Sequence, residues 1–88
     1  MNREVLERLI QIIVTTEELG ELSQALSKYM RFMCNDKTLR NNIYEITDMV
    51  LEEISDVELC LEKFKKLNQI NQQEIDKIKE YKENRLTK

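Results

Sequence analysis

Hydrophobic residues recur at helical spacing along most of the chain, and this pattern predicts three α-helices. From Asn2 to about Met33 the apolar positions follow the three-and-four-residue spacing of one helix face. The two β-branched residues Thr15 and Thr16 leave room for a break, but a single helix is the favoured interpretation. Residues 34–42 are polar and lose the periodicity, so they are predicted to form a connection.

The second and third helices are predicted from both their apolar pattern and their start signals. The second follows Asn42 and runs to about Leu67, and the third runs from Gln72 to about Arg85. Asn42 and Asn71 each have a Glu three residues later, which is the spacing of a capping box. Because the box satisfies backbone N–H groups at a helix start, it fixes where each helix begins.

These elements predict an all-α protein with one domain over residues 1–88. A chain of 88 residues with one Gly and no Pro does not suit an all-β fold, which needs frequent turn residues. The expected architecture is an antiparallel helical hairpin plus a third helix, oligomerising into a four-helix-bundle core. Oligomerisation would bury apolar residues that fall off the main stripes: Ile12, Phe32, Met49, Leu51 and Leu59. A monomer with ordinary exposed hydrophobic residues is the alternative.

Charge is distributed unevenly along the chain, and this distribution disfavours nucleic acid as a partner and favours cations. Residues 1–62 carry 6 basic and 13 acidic side chains, whereas residues 63–88 carry 8 basic and 4 acidic ones. An acidic segment of this kind repels nucleic acid and attracts cations.

No apolar run approaches the roughly 18 residues of a membrane span. Two cysteines form neither a metal finger nor a disulfide framework, so we expect a cytoplasmic protein without a nucleic-acid or membrane partner.

Two pairs of acids stand at equivalent places on the first two helices. Glu18 and Glu21 are three residues apart and share a helix face, as do Glu53 and Asp56. If the chain folds back near position 37, inside the polar connection, the midpoints of the two pairs lie at one height. The register therefore predicts that four carboxylates converge.

Converging carboxylates repel unless a cation neutralises them, and a hard divalent ion fits their oxygen ligands. The chain has no His, which argues against zinc or copper and favours Mg²⁺. Gly20, the only glycine, lies between two of these acids and would be explained by a close neighbour. The alternative is that the acids only form solvated helix faces.

The segments EELGELSQALSKYMR and LEEISDVELCLEKF, with the ending YKENR, carry a family resemblance. Together they resemble the ExxE…ExxD signature of the all-α nucleoside triphosphate pyrophosphatases, specifically the short single-domain MazG-like type. The resemblance implies Mg²⁺-dependent hydrolysis of a nucleoside triphosphate between its α and β phosphates, giving the monophosphate and pyrophosphate. It also implies a homodimer or homotetramer and a house-cleaning role in nucleotide pools.

The resemblance assigns roles to individual residues of the two acidic motifs. The metal ligands would be Glu18, Glu21, Glu53 and Asp56, holding Mg²⁺, for which Mn²⁺ could substitute. Glu18 and its neighbour Glu17 are the candidate catalytic residues, and the resemblance implies that Glu17 would orient or deprotonate the attacking water.

Substrate contacts are expected on both sides of the acids. Lys28, Lys82 and Arg85 would bind phosphates, the last two as a clamp; alternatively, Lys82 and Arg85 pair with nearby acids or stabilise a helix C-terminus. Gln11 and Thr15 extend the Glu18 stripe and would meet the base or sugar, unless they are ordinary polar helix residues.

Two functions outside catalysis stay open at this point. The chain could be a non-catalytic helical interaction or regulatory module whose acids form a solvated face. It could also be a degenerate family member that binds metal or nucleotide without turnover.

Overall fold

A computed structural model describes residues 1–86 as three helices without any strand. These are α1 (Arg3–Met33), α2 (Ile43–Leu67) and α3 (Gln72–Leu86). Helices α1 and α2 pack together, which confirms the all-α class and the helical hairpin followed by a third helix. The predicted helix limits agree closely with the observed ones.

Helix α1 passes through its two threonines without a break. The Thr15 hydroxyl donates to the Gln11 carbonyl at 2.7 Å, and the Thr16 hydroxyl donates to the Ile12 carbonyl at 2.8 Å. Each threonine thus donates its hydroxyl to the carbonyl four residues earlier, which satisfies the hydroxyl inside the helix although the same carbonyl also serves the helix backbone.

Both predicted cap residues occupy the starts of their helices. Asn42 Oδ1 accepts from the Glu45 backbone N–H at 2.9 Å, and Glu45 Oε1 accepts from the Asn42 backbone N–H at 3.5 Å, which completes the capping box of α2. Asn71 Oδ1 accepts instead from the backbone N–H of Gln73 at 2.8 Å. Asn71 therefore caps α3 through the second helical residue, and not through the predicted partner Glu74.

Two residues after the last residue of α1 and of α2, the chain adopts a left-handed conformation without a glycine. Asn35 has φ 58° and Gln69 has φ 52°. At the end of α2, the backbone N–H of Gln69 donates to the Lys66 carbonyl at 3.3 Å, and that of Ile70 donates to the Lys65 carbonyl at 2.9 Å. This is the Schellman arrangement, which satisfies the last carbonyls and fixes the direction in which the chain leaves the helix.

The interface between α1 and α2 is narrow and mixes apolar with polar side chains. Ile46, in the first turn of α2, is fully buried in it. Gln11 lies opposite Cys60 and donates through Nε2 to its carbonyl at 3.3 Å. The buried residues of the described chain are Gln11, Thr15, Ala25, Ile46 and Val57.

Helix α3 packs against neither α1 nor α2. The Cα atoms occupy 50 × 41 × 17 Å, so the three helices lie in one thin layer with both sides accessible. None of the helices in residues 1–86 is long and apolar enough to cross a bilayer.

The stability of the hairpin should depend on the buried Ile46 more than on the exposed Ile13. We expect Ile46→Ala to lower the free energy of unfolding by about 2–5 kcal/mol, because it leaves a cavity between the helices. Urea unfolding at one fixed protein concentration measures the change. Ile13→Ala is the matched control, since Ile13 is 58% exposed and should change stability by only about 0.5 kcal/mol. Equal losses in both variants would contradict this packing.

Candidate metal centre

The register of the hairpin decides which acids meet. Gln11 on α1 is hydrogen-bonded to the carbonyl of Cys60 on α2, so these two positions are level. Glu18 lies seven residues after Gln11, and Glu53 lies seven residues before Cys60. Seven residues are two helical turns, so two antiparallel helices bring Glu18 and Glu53 to the same height and the same face.

Three carboxylates from the two helices form a compact cluster. Glu18, Glu53 and Asp56 each offer one oxygen, and these three oxygens lie within 4.8 Å of one another. Glu18 and Glu53 are half-buried, whereas Asp56 is exposed. Glu21 was predicted as a fourth ligand; it is exposed, and its oxygens are not part of this group.

Two oxygens of the cluster are buried without a partner. Oε2 of Glu18 and Oε2 of Glu53 are inaccessible to solvent and accept no hydrogen bond from the described residues. A buried acceptor without a donor is costly, and a buried anionic one more so. Such a pair of oxygens is therefore suited to a cation that would neutralise both.

Burial and mutual repulsion raise the pKa of two carboxyl groups in the cluster. For Glu18 the pKa is raised mainly by burial and then by the negative charges of Glu21, Asp56 and Glu53. For Glu53 it is likewise raised first by burial and then by the charges of Glu21 and Asp56. Hydrogen bonding with the Glu21 carboxyl raises both pKa values further, so Glu21 lies beside Glu18 and Glu53 although its oxygens are outside the group of three that includes Asp56.

A cleft of about 270 Å³ adjoins the cluster. Its lining residues are Glu21, Gln24, Ala25, Lys28, Met49 and Glu53. Lys28 is the one cation among them, and the structure therefore places this predicted phosphate ligand beside the acids. The cleft is slightly smaller than the roughly 300–1,000 Å³ of pockets that enclose drug-sized ligands.

The structure gives the predicted base-contacting residues internal partners. Gln11 Nε2 donates to the Cys60 carbonyl and to Thr15 Oγ1, at 3.3 and 3.2 Å, and both side chains are buried between the helices. Their present hydrogen bonds hold the register of the hairpin. Glu17 is exposed to solvent next to the cluster residue Glu18.

Lys82 and Arg85 lie on α3, away from the acids. With Leu86 they line a separate cavity of about 320 Å³. The Arg85 guanidinium carbon is 5.7 Å from the centroid of the Tyr81 ring. Because α3 packs on neither α1 nor α2, the single described chain does not bring these two cations to the carboxylate cluster.

Sequence reasoning missed some features of the site. Gln24 and Met49 line the cleft, and Cys60 anchors the register through its carbonyl. Gln24 lies three residues after Glu21, so helical spacing could have suggested it, but a backbone acceptor leaves no mark in side-chain patterns. The neighbour expected for Gly20 is not found among residues 1–86, since none of their atoms outside the local helix backbone lies within 4 Å of the position that its Cβ would take.

Comparison with known proteins identifies no relative of this chain. No family model, curated protein or solved structure matches the chain. The resemblance to the MazG-like pyrophosphatases thus stays a prediction from the two acidic motifs.

The raised pKa values predict how stability depends on pH when divalent cations are removed by a chelator. Near pH 4.5, the ordinary pKa of Glu, the unfolded chain begins to release protons that the folded Glu18 and Glu53 still hold. Stability from these two groups should therefore fall as the pH rises above 4.5, until the folded carboxyls also ionise.

Urea unfolding between pH 4.5 and 7.5 tests this dependence. Glu53→Gln should flatten the decline, because it removes one of the two raised groups and relieves the other. Glu52→Gln is the matched control, since Glu52 is exposed on a different side of α2 and should leave the decline unchanged. A decline of equal steepness in Glu53→Gln and wild type would contradict the proposed repulsion.

Proposed function

We propose that this protein is a Mg²⁺-dependent nucleoside triphosphate pyrophosphohydrolase that cleaves between the α and β phosphates. The observation that supports it best is the cluster of Glu18, Glu53 and Asp56, whose oxygens approach within 4.8 Å from two different helices. The sequence adds the ordered pair of acidic motifs on which the MazG-like resemblance rests.

The chemistry of the ligands supports magnesium. Mg²⁺ prefers carboxylate oxygens and keeps several waters, so three or four carboxylates without His suit it, and Mn²⁺ could replace it. The two buried, unpartnered oxygens of Glu18 and Glu53 are the atoms that an ion would satisfy. Glu21 lines the adjoining cleft and would serve as the fourth ligand through a modest change of rotamer or through water.

In this proposal the cleft holds the triphosphate. When bound, Mg²⁺ neutralises phosphate charge and lowers the pKa of a water molecule, so that attack on the α-phosphorus becomes feasible at neutral pH. Lys28 would donate to a phosphate oxygen from the cleft wall, and Lys82 and Arg85 stay candidates for the outer phosphates. Glu17, exposed beside the cluster, stays the candidate for orienting the attacking water.

Gln11 and Thr15 are better supported as positioning residues than as base contacts. Their polar atoms are already used between the helices, and a base would have to displace the bond from Gln11 Nε2 to the Cys60 carbonyl. Recognition of base or sugar by these two residues remains a prediction that follows from the helical stripe alone.

Exposed apolar residues support a homodimer or homotetramer with a four-helix-bundle core. On α1, Val5, Ile12, Leu19 and Leu26 recur every seven residues and are 39–49% exposed. A seven-residue apolar repeat is typical of a helix that packs along another helix, and α2 does not cover this one. A cytoplasmic location and a role in clearing nucleotide pools belong to the same proposal.

The same exposed surface favours a second candidate, a helical interaction module without catalysis. In that case the apolar repeat on α1 would bind a partner, and the carboxylate cluster would need no ion. The response of the protein to Mg²⁺ separates the two functions.

Activity tests the proposal directly. Incubation with a panel of canonical and modified nucleoside triphosphates and Mg²⁺ should release pyrophosphate and a monophosphate from at least one of them. Glu53→Gln and Asp56→Asn should each lower this rate by about 100-fold or more, because each removes a metal ligand. Glu52→Gln should keep the wild-type rate. Release of orthophosphate alone would contradict α–β cleavage.

Thermal unfolding provides a second readout that does not need turnover. Mg²⁺ should raise the Tm of the wild type and of Glu52→Gln, because an ion that binds only the folded state stabilises it. It should leave the Tm of Glu53→Gln nearly unchanged. A wild-type Tm that ignores millimolar Mg²⁺ would favour the interaction module.

A further inference from the structure

Helix α3 is amphipathic in charge as well as in hydrophobicity. At 100° per residue, Ile75, Ile78 and Leu86 share one side of α3 with Lys79, Lys82 and Arg85. No acid lies within the arc of about 120° that these six residues span. Asp76, Glu80 and Glu83 lie beyond one edge of the arc, and Glu74 lies beyond the other. The side that carries the three cations, which we call the basic face of α3, packs against no other helix of the described chain, and Ile78 is 56% exposed.

The turn between α2 and α3 holds this face away from the hairpin of its own chain. The backbone N–H of Ile70 donates to the Lys65 carbonyl at 2.9 Å, and Lys65 Nζ donates to Gln72 Oε1 at 2.6 Å. Asn68 is tied to both hairpin helices, because its Oδ1 accepts from Arg8 Nε at 2.7 Å and its Nδ2 donates to the Phe64 carbonyl at 2.9 Å. Folding α3 back would disrupt this network.

The hairpin offers the complementary surface. Residues 1–62 carry seven more acids than bases, and the carboxylate cluster has Lys28 as the one cation lining its cleft. The cleft, at about 270 Å³, is open to solvent and is small for a whole nucleotide. The site therefore has a single cation and is open to solvent, whereas α3 carries three cations on a face that packs against no other helix of the described chain.

We infer that α3 of one chain docks on the acidic cleft of a second copy, so that Lys82 and Arg85 complete the site in trans. A second copy is the occupant because the two complementary surfaces belong to one chain that cannot join them itself. In a two-fold dimer each α3 would reach the partner's hairpin, and both sites would be completed by the same contact. The role of the two cations as phosphate ligands rests on the proposed function, whereas the docking does not.

Zero-length cross-linking tests the docking without any activity. A carbodiimide joins a Lys amine only to a carboxylate that it touches. Unlabelled and ¹⁵N-labelled chains are mixed in denaturant, refolded together in the presence of a chelator, treated with a carbodiimide and analysed by mass spectrometry. We expect peptides that join Lys82 to Glu18, Glu21, Glu53 or Asp56, with about half of them of mixed isotope.

Another lysine of the same helix, Lys77, is an internal control for the cross-link. Lys77 lies about 140° around α3 from Lys82, so it should not couple to the cluster. Lys82→Arg should abolish the cross-link while keeping the charge. Pairs of a single isotope only would mean that α3 folds back on its own chain, and the absence of any pair from Lys82 would mean that it docks elsewhere. Either result would overturn the inference.

Complementation then tests what the two cations do. A Glu53→Gln chain and a chain with Lys82→Glu and Arg85→Glu should each be inactive alone in pyrophosphate release. Their mixture should recover about a quarter of the wild-type rate, because half of the dimers are hybrids and each hybrid has one intact site. An inactive mixture of variants, from an active wild type, would refute a role in trans. The cross-links remain informative even if the wild type releases no pyrophosphate.

Discussion

The register between α1 and α2 is the constraint on which the site depends. The bond from Gln11 Nε2 to the carbonyl of Cys60 makes two positions level, and two further helical turns bring Glu18 to Glu53. A shift of one residue in either helix would rotate a carboxylate by about 100° and take it out of the cluster. The buried, polar contact is therefore part of the site, although it lies about 10 Å from the acids along the helix axis.

Repulsion between the clustered carboxylates opposes the stability of this hairpin. Without a cation, Glu18 and Glu53 present buried oxygens with no hydrogen-bond partner in the described chain, and burial raises the pKa of both groups. The remaining core is small, and among residues 1–86 Ile46 is the one large side chain that is fully buried. Repulsion between these acids lowers the free energy of unfolding of a hairpin that has only a small core. Binding of a cation or of a second copy of the chain would raise it again.

Most of the fold could be predicted from the sequence because helix signals are local. Apolar spacing and the two Asn caps gave the helix limits, and the polar connection centred the hairpin so that the acids became level. Neither helix C-terminus carries the glycine that such turns favour, since Asn35 and Gln69 take the left-handed conformation themselves. The sequence pattern therefore marked where α1 and α2 end but not the direction of the chain after them.

The direction of the chain after α2 decides where the cations of α3 lie relative to the acids. Lys82 and Arg85 were predicted to join the acids, and whether they do depends on the path of α3, which the turn at residues 68–71 controls. Glu21 is a similar case, because a spacing of three residues puts it on the same side as Glu18 without deciding which oxygens converge. Its position 60° around the helix leaves it at the edge of the cluster.

The central claim is that acids from two helices of one hairpin hold a divalent cation. Anomalous diffraction from crystals soaked in Mn²⁺ tests it most directly, because the ion is located without reference to activity or to any substrate. The account predicts one strong anomalous peak bonded to oxygens of Glu18, Glu53 and Asp56, which is lost in Glu53→Gln. Well-ordered carboxylates with no anomalous peak between them would contradict it.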